Sequence, residues 1–276
     1  MKMKKILFTF LAVFSLSVFA AIDIKNGETV AFLGDSITQL GGWQWPYIGY
    51  IHLVHDGLKT KGINIKFIRA GISGHHSTQM LKRQKKDVLD KKPQWMFLCT
   101  GANDMAFKIP MDTFRKNIDQ MVKNAQNAGI KVVLMTSVPR ENSVERNKKL
   151  KPYIDFVRTY AKENKICFVD VNKALEDEGK SSVFASMKGI KFSYDGVHLN
   201  GFGHIVMASA ILKECGIPEK TLAELKKKWT DDKRHALELF VPLTHEEQLA
   251  IAKEAKKAKM KEDKFVLDYL RSRKAK

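Results

Sequence analysis

Four short clusters in the sequence carry residue types able to do chemistry together: Gly34-Asp35-Ser36, the glycine pair Gly71 and Gly74 followed by His75 and His76, Gly101-Ala102-Asn103-Asp104, and Asp195-Gly196-Val197-His198. A serine hydroxyl at its free pKa attacks poorly. It needs an adjacent base, and the base needs an orienting partner. Asp195 and His198 stand three apart before the helix-like stretch 203–214. That spacing lets the carboxylate hold the imidazole Nδ1–H while Nε2 faces a serine. The chain order Ser, Asp, His is compatible with a triad, although Ser36 lacks the second glycine of a G-x-S-x-G elbow. A strand simply ending in a turn also uses Gly, Asp, Ser and Asn, so each cluster alone is a weak signal.

The elements that must position these clusters follow from periodicity. Short apolar, β-branched runs occur at 29–34, 64–70, 95–100, 131–136 and 166–171. Helical spacing fills 46–60, 77–90, 111–127 and 143–163 between them. Strand and helix alternating in this way imply right-handed crossovers and a parallel sheet covered on both faces. In an open parallel sheet, ligands bind beyond the carboxyl ends of the strands. The loops "GDSIT", "GISGHHS", "GAND" and "SVPREN" follow the first four runs directly, which puts three of the four clusters at that end.

Taken together, Gly34-Asp35-Ser36, Gly74, Gly101-x-Asn103-Asp104 and Asp195-x-x-His198 resemble the blocks of the SGNH (GDSL) hydrolase superfamily, in order and spacing, from about Glu28 to Gly216. The resemblance implies a flavodoxin-like, three-layer α/β/α fold with a five-stranded parallel sheet. It implies Ser36 as nucleophile, His198 as general base and then acid, and Asp195 as its orienter. The oxyanion hole would comprise the backbone N–H groups of Ser36 and Gly74 and the side-chain amide of Asn103. Asp35 and Asp104 would brace loops, and no cofactor or metal is implied. Two departures stand out: Arg69 occupies a position where the family commonly has Asn, and His75 replaces a frequent acidic residue. His75 and His76 lack nearby carboxylate or cysteine ligands, which favours substrate contact or loop polarity over a metal pair.

Trp43, Trp45 and Tyr47 follow the nucleophile closely and suit either stacking on a sugar ring or packing of the first helix. Arg140 could meet an acidic sugar or another carboxylate. The leading function is a secreted serine esterase that removes acetyl or similar small acyl groups from a carbohydrate. A lipid esterase or thioesterase of lysophospholipase type is the second reading. A glycan-binding module without catalysis is disfavoured, because binding alone needs no proton relay.

Composition bounds the remainder. A formal charge of +18 is carried mostly by lysines on helix-like segments, with no nucleic-acid recognition motif. Residues 1–20 read as a signal peptide: a basic "MKMKK", an apolar run shorter than a membrane span, and cleavage after Ala20. The destination is then the periplasm or the medium. Three cysteines cannot all pair, so no disulfide framework is expected. The hydrolase domain is expected over 21–216, and 217–276 reads as a basic helical extension that packs on the domain or a partner, or touches an anionic polysaccharide or membrane surface.

Overall fold

The computed structural model describes residues 21–44, 48–141, 143–181, 191–232, 245–260 and 265–266. The expected leader and Trp45 lie outside the described residues. Five strands, β1 (Thr29–Gly34), β2 (Lys66–Gly71), β3 (Trp95–Cys99), β4 (Lys131–Met135) and β5 (Cys167–Val169), form one parallel sheet in the order β2-β1-β3-β4-β5. The order reverses direction between β1 and β3. At such a switch point the crossover helices lie on opposite faces and leave a crevice at the strands' carboxyl ends.

Alternation along the strands divides the core into two layers, because successive side chains point to opposite faces. Val30, Phe32, Trp95, Phe97 and Val133 pack on one face with Tyr50, Leu53 and Met207, which come from α2 (Tyr50–Lys59) and α8 (Gly201–Glu214). Ala31, Leu33, Met96, Leu98 and Leu134 pack on the other with Met80, Phe114 and Leu150. Those three belong to α3 (Ser77–Asp87), α5 (Met111–Asn127) and α6 (Val144–Glu163). The result is the three-layer α/β/α arrangement. The cysteines Cys99, Cys167 and Cys215 are free and buried.

Helix α5 spans the expected 111–127. The expected 46–60 helix begins only at Tyr50, because the preceding Gly49 is extended (ψ 156°); it is pressed against α1 (Ser36–Gly41), and a Cβ there would stand 2.3 Å from the Gly41 carbonyl oxygen. Among the helices not anticipated in detail are α4 (Ala102–Ala106), α7 (Val171–Gly179) and α9 (Glu219–Thr230). The last of these lies within the expected helical extension 217–276. It buries Leu222, Leu225 and Trp229 in the same core as β1, and the Trp229 indole donates to Asp56 at 2.8 Å. A first compact unit runs to Leu237 and a second begins at Glu238. The second unit contains α10 (His245–Lys257), with Glu246 and Glu247 in its first turn and Lys256 and Lys257 in its last, which suits the helix dipole. Among the described residues no helix is long and apolar enough to cross a membrane.

Candidate active site

Gly34, Gly71 and Cys99 stand level with one another at the carboxyl edge of the sheet, so three cluster-bearing loops leave from one line. After β1 the chain turns at Asp35, whose Oδ1 accepts the Ile37 N–H at 3.0 Å and caps α1 (Ser36–Gly41). Ser36 is thus the first residue of a helix, where a backbone N–H has no intrahelical acceptor. It is 9% exposed. Its hydroxyl lies 2.9 Å from His198 Nε2, across 162 positions of sequence. His198 Nδ1 lies 2.6 Å from Asp195 Oδ2, and Asp195 Oδ1 accepts the N–H groups of Val197 at 2.9 Å and His198 at 2.7 Å. Burial pushes the Asp195 carboxyl up, but the His198 backbone and ring and the Val197 N–H outweigh it and hold the group below its ordinary range. An ionised Asp195 places the imidazole proton on Nδ1 and leaves Nε2 free to accept from the serine.

The second loop is pinned to the same helix. A Cβ on Gly71 would come within 2.2 Å of the Gln39 nitrogen, and the Gln39 side chain accepts the Ser73 N–H at 2.7 Å. Gly74 sits at φ +77°, a left-handed conformation that glycine adopts at no steric cost. Among the described residues its N–H has no hydrogen-bond acceptor. Asn103, in α4, donates one amide hydrogen to the His75 carbonyl at 3.0 Å and keeps a second for a ligand. Asp104 lies fully buried beneath it. It accepts from the Ser77 N–H at 3.1 Å, the Ser77 hydroxyl and the Thr100 hydroxyl at 3.0 Å, and so ties α3, β3 and α4 together. A hydroxyl with a base behind it, and with backbone and amide donors in the neighbouring loops, has the groups that acyl transfer through a tetrahedral oxyanion needs.

The outer residues are distributed less simply. Trp43 is 42% exposed. Its neighbour Gly42 accepts from Arg69 at 3.0 Å and from His52 at 3.0 Å, so the unexpected arginine anchors the tryptophan loop. His75 Nδ1 accepts from Arg83 at 3.1 Å, and Arg83 also donates to the strand-end carbonyls of Gly34 and Ala70, each at 2.8 Å. Arginine only donates, so His75 carries its proton on Nε2. Burial and then the Arg83 charge hold its pKa below the ordinary value. Arg140, a possible partner for an acidic sugar or another carboxylate, is only 5% exposed, and its Nη1 is buried without a partner. The Asp35 and Asp195 carboxylates act on its charge. Two residues were overlooked in the sequence. Phe107, at the end of α4, is 61% exposed with its ring 6.0 Å from His76. Glu141, in the loop after β4, bonds to the segment that carries the base.

Burial pushes the Asp35 carboxyl up to about 6, against the opposing pull of the Ile37 N–H and the Arg140 charge. Between the ordinary value of 3.8 and about 6, the unfolded chain has released this proton and the folded chain has not. Stability therefore falls as pH rises through that window, by on the order of 3 kcal/mol in all. Asp35→Asn keeps an N-cap acceptor and has no proton to release. Its melting temperature should gain on that of the wild type by several degrees between pH 4 and pH 7. Parallel melting curves across that range would contradict the account.

The model of the GDSL-like lipase/acylhydrolase family matches residues 32–205. The acetylxylan esterase of Geobacillus stearothermophilus is 25% identical over 222 residues, covering 71% of this chain and 97% of that enzyme. Esterase TesA of Pseudomonas aeruginosa is 27% identical over 108 residues, covering 39% of this chain and 53% of TesA. Among solved structures, the Geobacillus acetylxylan esterase Axe2 superposes with a TM-score of 0.59 at 24% identity, covering 71% of this chain and 98% of that one.

Proposed function

This chain belongs to the GDSL-like lipase/acylhydrolase family and is a carboxylic ester hydrolase, and from that premise we propose that it removes small acyl groups, acetyl foremost, from a carbohydrate through an acyl-enzyme on Ser36. The observation that carries the mechanism is the continuous hydrogen-bonded line from Asp195 through His198 to the Ser36 hydroxyl. Ser36 Oγ attacks the ester carbonyl as its proton passes to His198 Nε2. The N–H groups of Ser36 and Gly74 and the Asn103 amide receive the oxyanion. Collapse expels the sugar alcohol, which takes the proton from His198. Water, deprotonated by the same imidazole, then releases the acid and restores the serine.

The acetyl and carbohydrate part rests on likeness to an acetylxylan esterase along nearly its whole length. Variants of that enzyme described as catalytic mutants fall on a serine, a histidine and an aspartate, the same three residue types. The leader-like residues 1–20 support export to the periplasm or the medium. A test combines acetylated xylooligosaccharides with p-nitrophenyl esters of graded chain length, assayed on purified protein and on culture fractions. The reading expects acetyl esters to be preferred and the activity to be found outside the cytoplasm. A preference for long acyl chains would favour a lipid esterase, and activity confined to the cytoplasm would remove the export proposal.

Trp43 gives the carbohydrate reading its own test. If its exposed ring stacks on the sugar, Trp43→Ala should lower kcat/KM for an acetylated oligosaccharide roughly 2- to 10-fold, as expected for loss of one aromatic contact. The same change should leave p-nitrophenyl acetate nearly unaffected, because that small ester does not extend to the platform. Equal losses on both would make Trp43 a support for the loop instead.

A further inference from the structure

The segment that carries the base, residues 191–200, contains no helix or strand beyond a single bridge between Ser193 and Leu199. Its internal bonds, Tyr194 N–H to the His198 carbonyl at 3.1 Å and Asn200 N–H to the Phe192 carbonyl at 2.9 Å, give the loop a shape. Phe192 and Leu199, buried in the core, seat its two ends. Glu141 reaches it from a different element, the loop that follows β4. One carboxylate oxygen accepts the Phe192 N–H at 2.6 Å, and the other accepts the Ser193 N–H at 3.1 Å and the Ser193 hydroxyl. The Glu141 N–H donates in turn to the Gly196 carbonyl at 3.0 Å. Gly196 has φ +83°, and a Cβ there would lie 3.3 Å from the Glu141 carbonyl oxygen, so the two backbones run in close contact just after Asp195.

We propose that Glu141 is the positioning residue that sets the His198–Asp195 pair over the Ser36 hydroxyl, a role that rests on the reading of Ser36 as nucleophile. Its carboxylate clamps the chain two and three residues before Asp195, and its backbone clamps the residue after. Hydrogen bonds to an ionised acceptor are shorter and stronger than neutral ones, which suits a loop with little regular structure of its own. The residue type is specific to the task. Donors face both oxygens, so the amide of glutamine would turn an NH2 toward at least one N–H and lose that side of the clamp, while keeping the size of the side chain. A displacement of about 1 Å in a catalytic group costs on the order of 100-fold in rate.

The test uses the full chain with Glu141→Gln and Glu141→Ala, assayed on p-nitrophenyl acetate, with active sites counted by organophosphonate titration. The deshielded proton NMR signal of the His198 Nδ1–H in the bond to Asp195 is recorded without substrate. The expected result is a kcat per titrated site lowered about 100-fold with KM within about twofold, and a proton signal broadened or lost in a protein that is still folded by circular dichroism. Should the alanine variant fail to fold, the isosteric glutamine variant decides. A folded Glu141→Gln protein with kcat within twofold of wild type and an unchanged proton signal would overturn the proposal. So would a loss of rate that disappears once it is divided by the titrated sites. If Ser36→Ala retains full activity, the nucleophile assignment falls, while the proton signal still reports whether Glu141 holds the pair.

Discussion

Ser36→Ala should lower kcat on p-nitrophenyl acetate by roughly 10⁵- to 10⁶-fold, the scale seen when the nucleophile of a serine hydrolase is removed. The alanine cannot form the acyl-enzyme, and His198 then has no hydroxyl to deprotonate. On the proposed mechanism, what remains is stabilisation of a water attack by the Ser36 and Gly74 N–H groups and the Asn103 amide, which should leave a residual rate well above that in water. The fold should tolerate the change, since one small side chain and one hydrogen bond to His198 are lost, about 1 kcal/mol. The measurement is turnover of the variant, with phosphonate titration to exclude wild-type carry-over. A variant that hydrolyses the ester within 10-fold of wild type would remove Ser36 from the chemistry.

Asp195→Asn should cost nearly as much, about 10⁴-fold in kcat with little change in KM, as expected when the orienting carboxylate of such a triad becomes an amide. The geometry supplies the reason. Oδ1 accepts two backbone N–H groups, from Val197 and His198, so the amide oxygen of the variant must take that side. Its NH2 then faces His198 Nδ1, which must accept, and the imidazole proton moves to Nε2, toward the serine it should deprotonate. The carboxyl of Asp195 lies below its ordinary range, so it stays ionised wherever the histidine is neutral. The acid limb of the wild-type rate profile therefore reports a group other than Asp195. A loss under 10-fold in Asp195→Asn would show that the carboxylate neither sets the tautomer nor stabilises the imidazolium.

Much of the scaffold was legible because its physics is local. Strands buried on both faces read as continuous apolar runs, and all five runs become strands of the parallel sheet. Helix α5 carries its apolar residues at helical spacing and keeps its expected limits. Short helices were harder. The run read as strand through Val171 ends earlier, because Asp170 accepts the Lys173 N–H and starts α7 two residues after β5. Helix α4 starts within "GAND" and runs on to Ala106, and five residues make too few turns to show a period. Within the expected helical extension, Leu222, Leu225 and Trp229 seat α9 in the core, a burial that the basic composition of the tail does not reveal.

The sequence by itself determined the alternation of strands and helices, the carboxyl edge where chemistry would sit, and the set of residue types in the loops there. Each of these depends on neighbours a few positions away, through side-chain period, capping and the conformational freedom of glycine. Only the tertiary structure decided which groups meet: the Ser36 hydroxyl with an imidazole 162 positions on, the Glu141 carboxylate with the backbone of Phe192 and Ser193, Arg69 with the carbonyl beside Trp43. It also decided that Arg140 lies buried near two aspartates instead of at the surface. A hydrogen bond is made or lost within a fraction of an ångström, and a charge is exposed or enclosed by whatever packs over it. Both depend on how all the layers pack together, which no local pattern in the chain encodes.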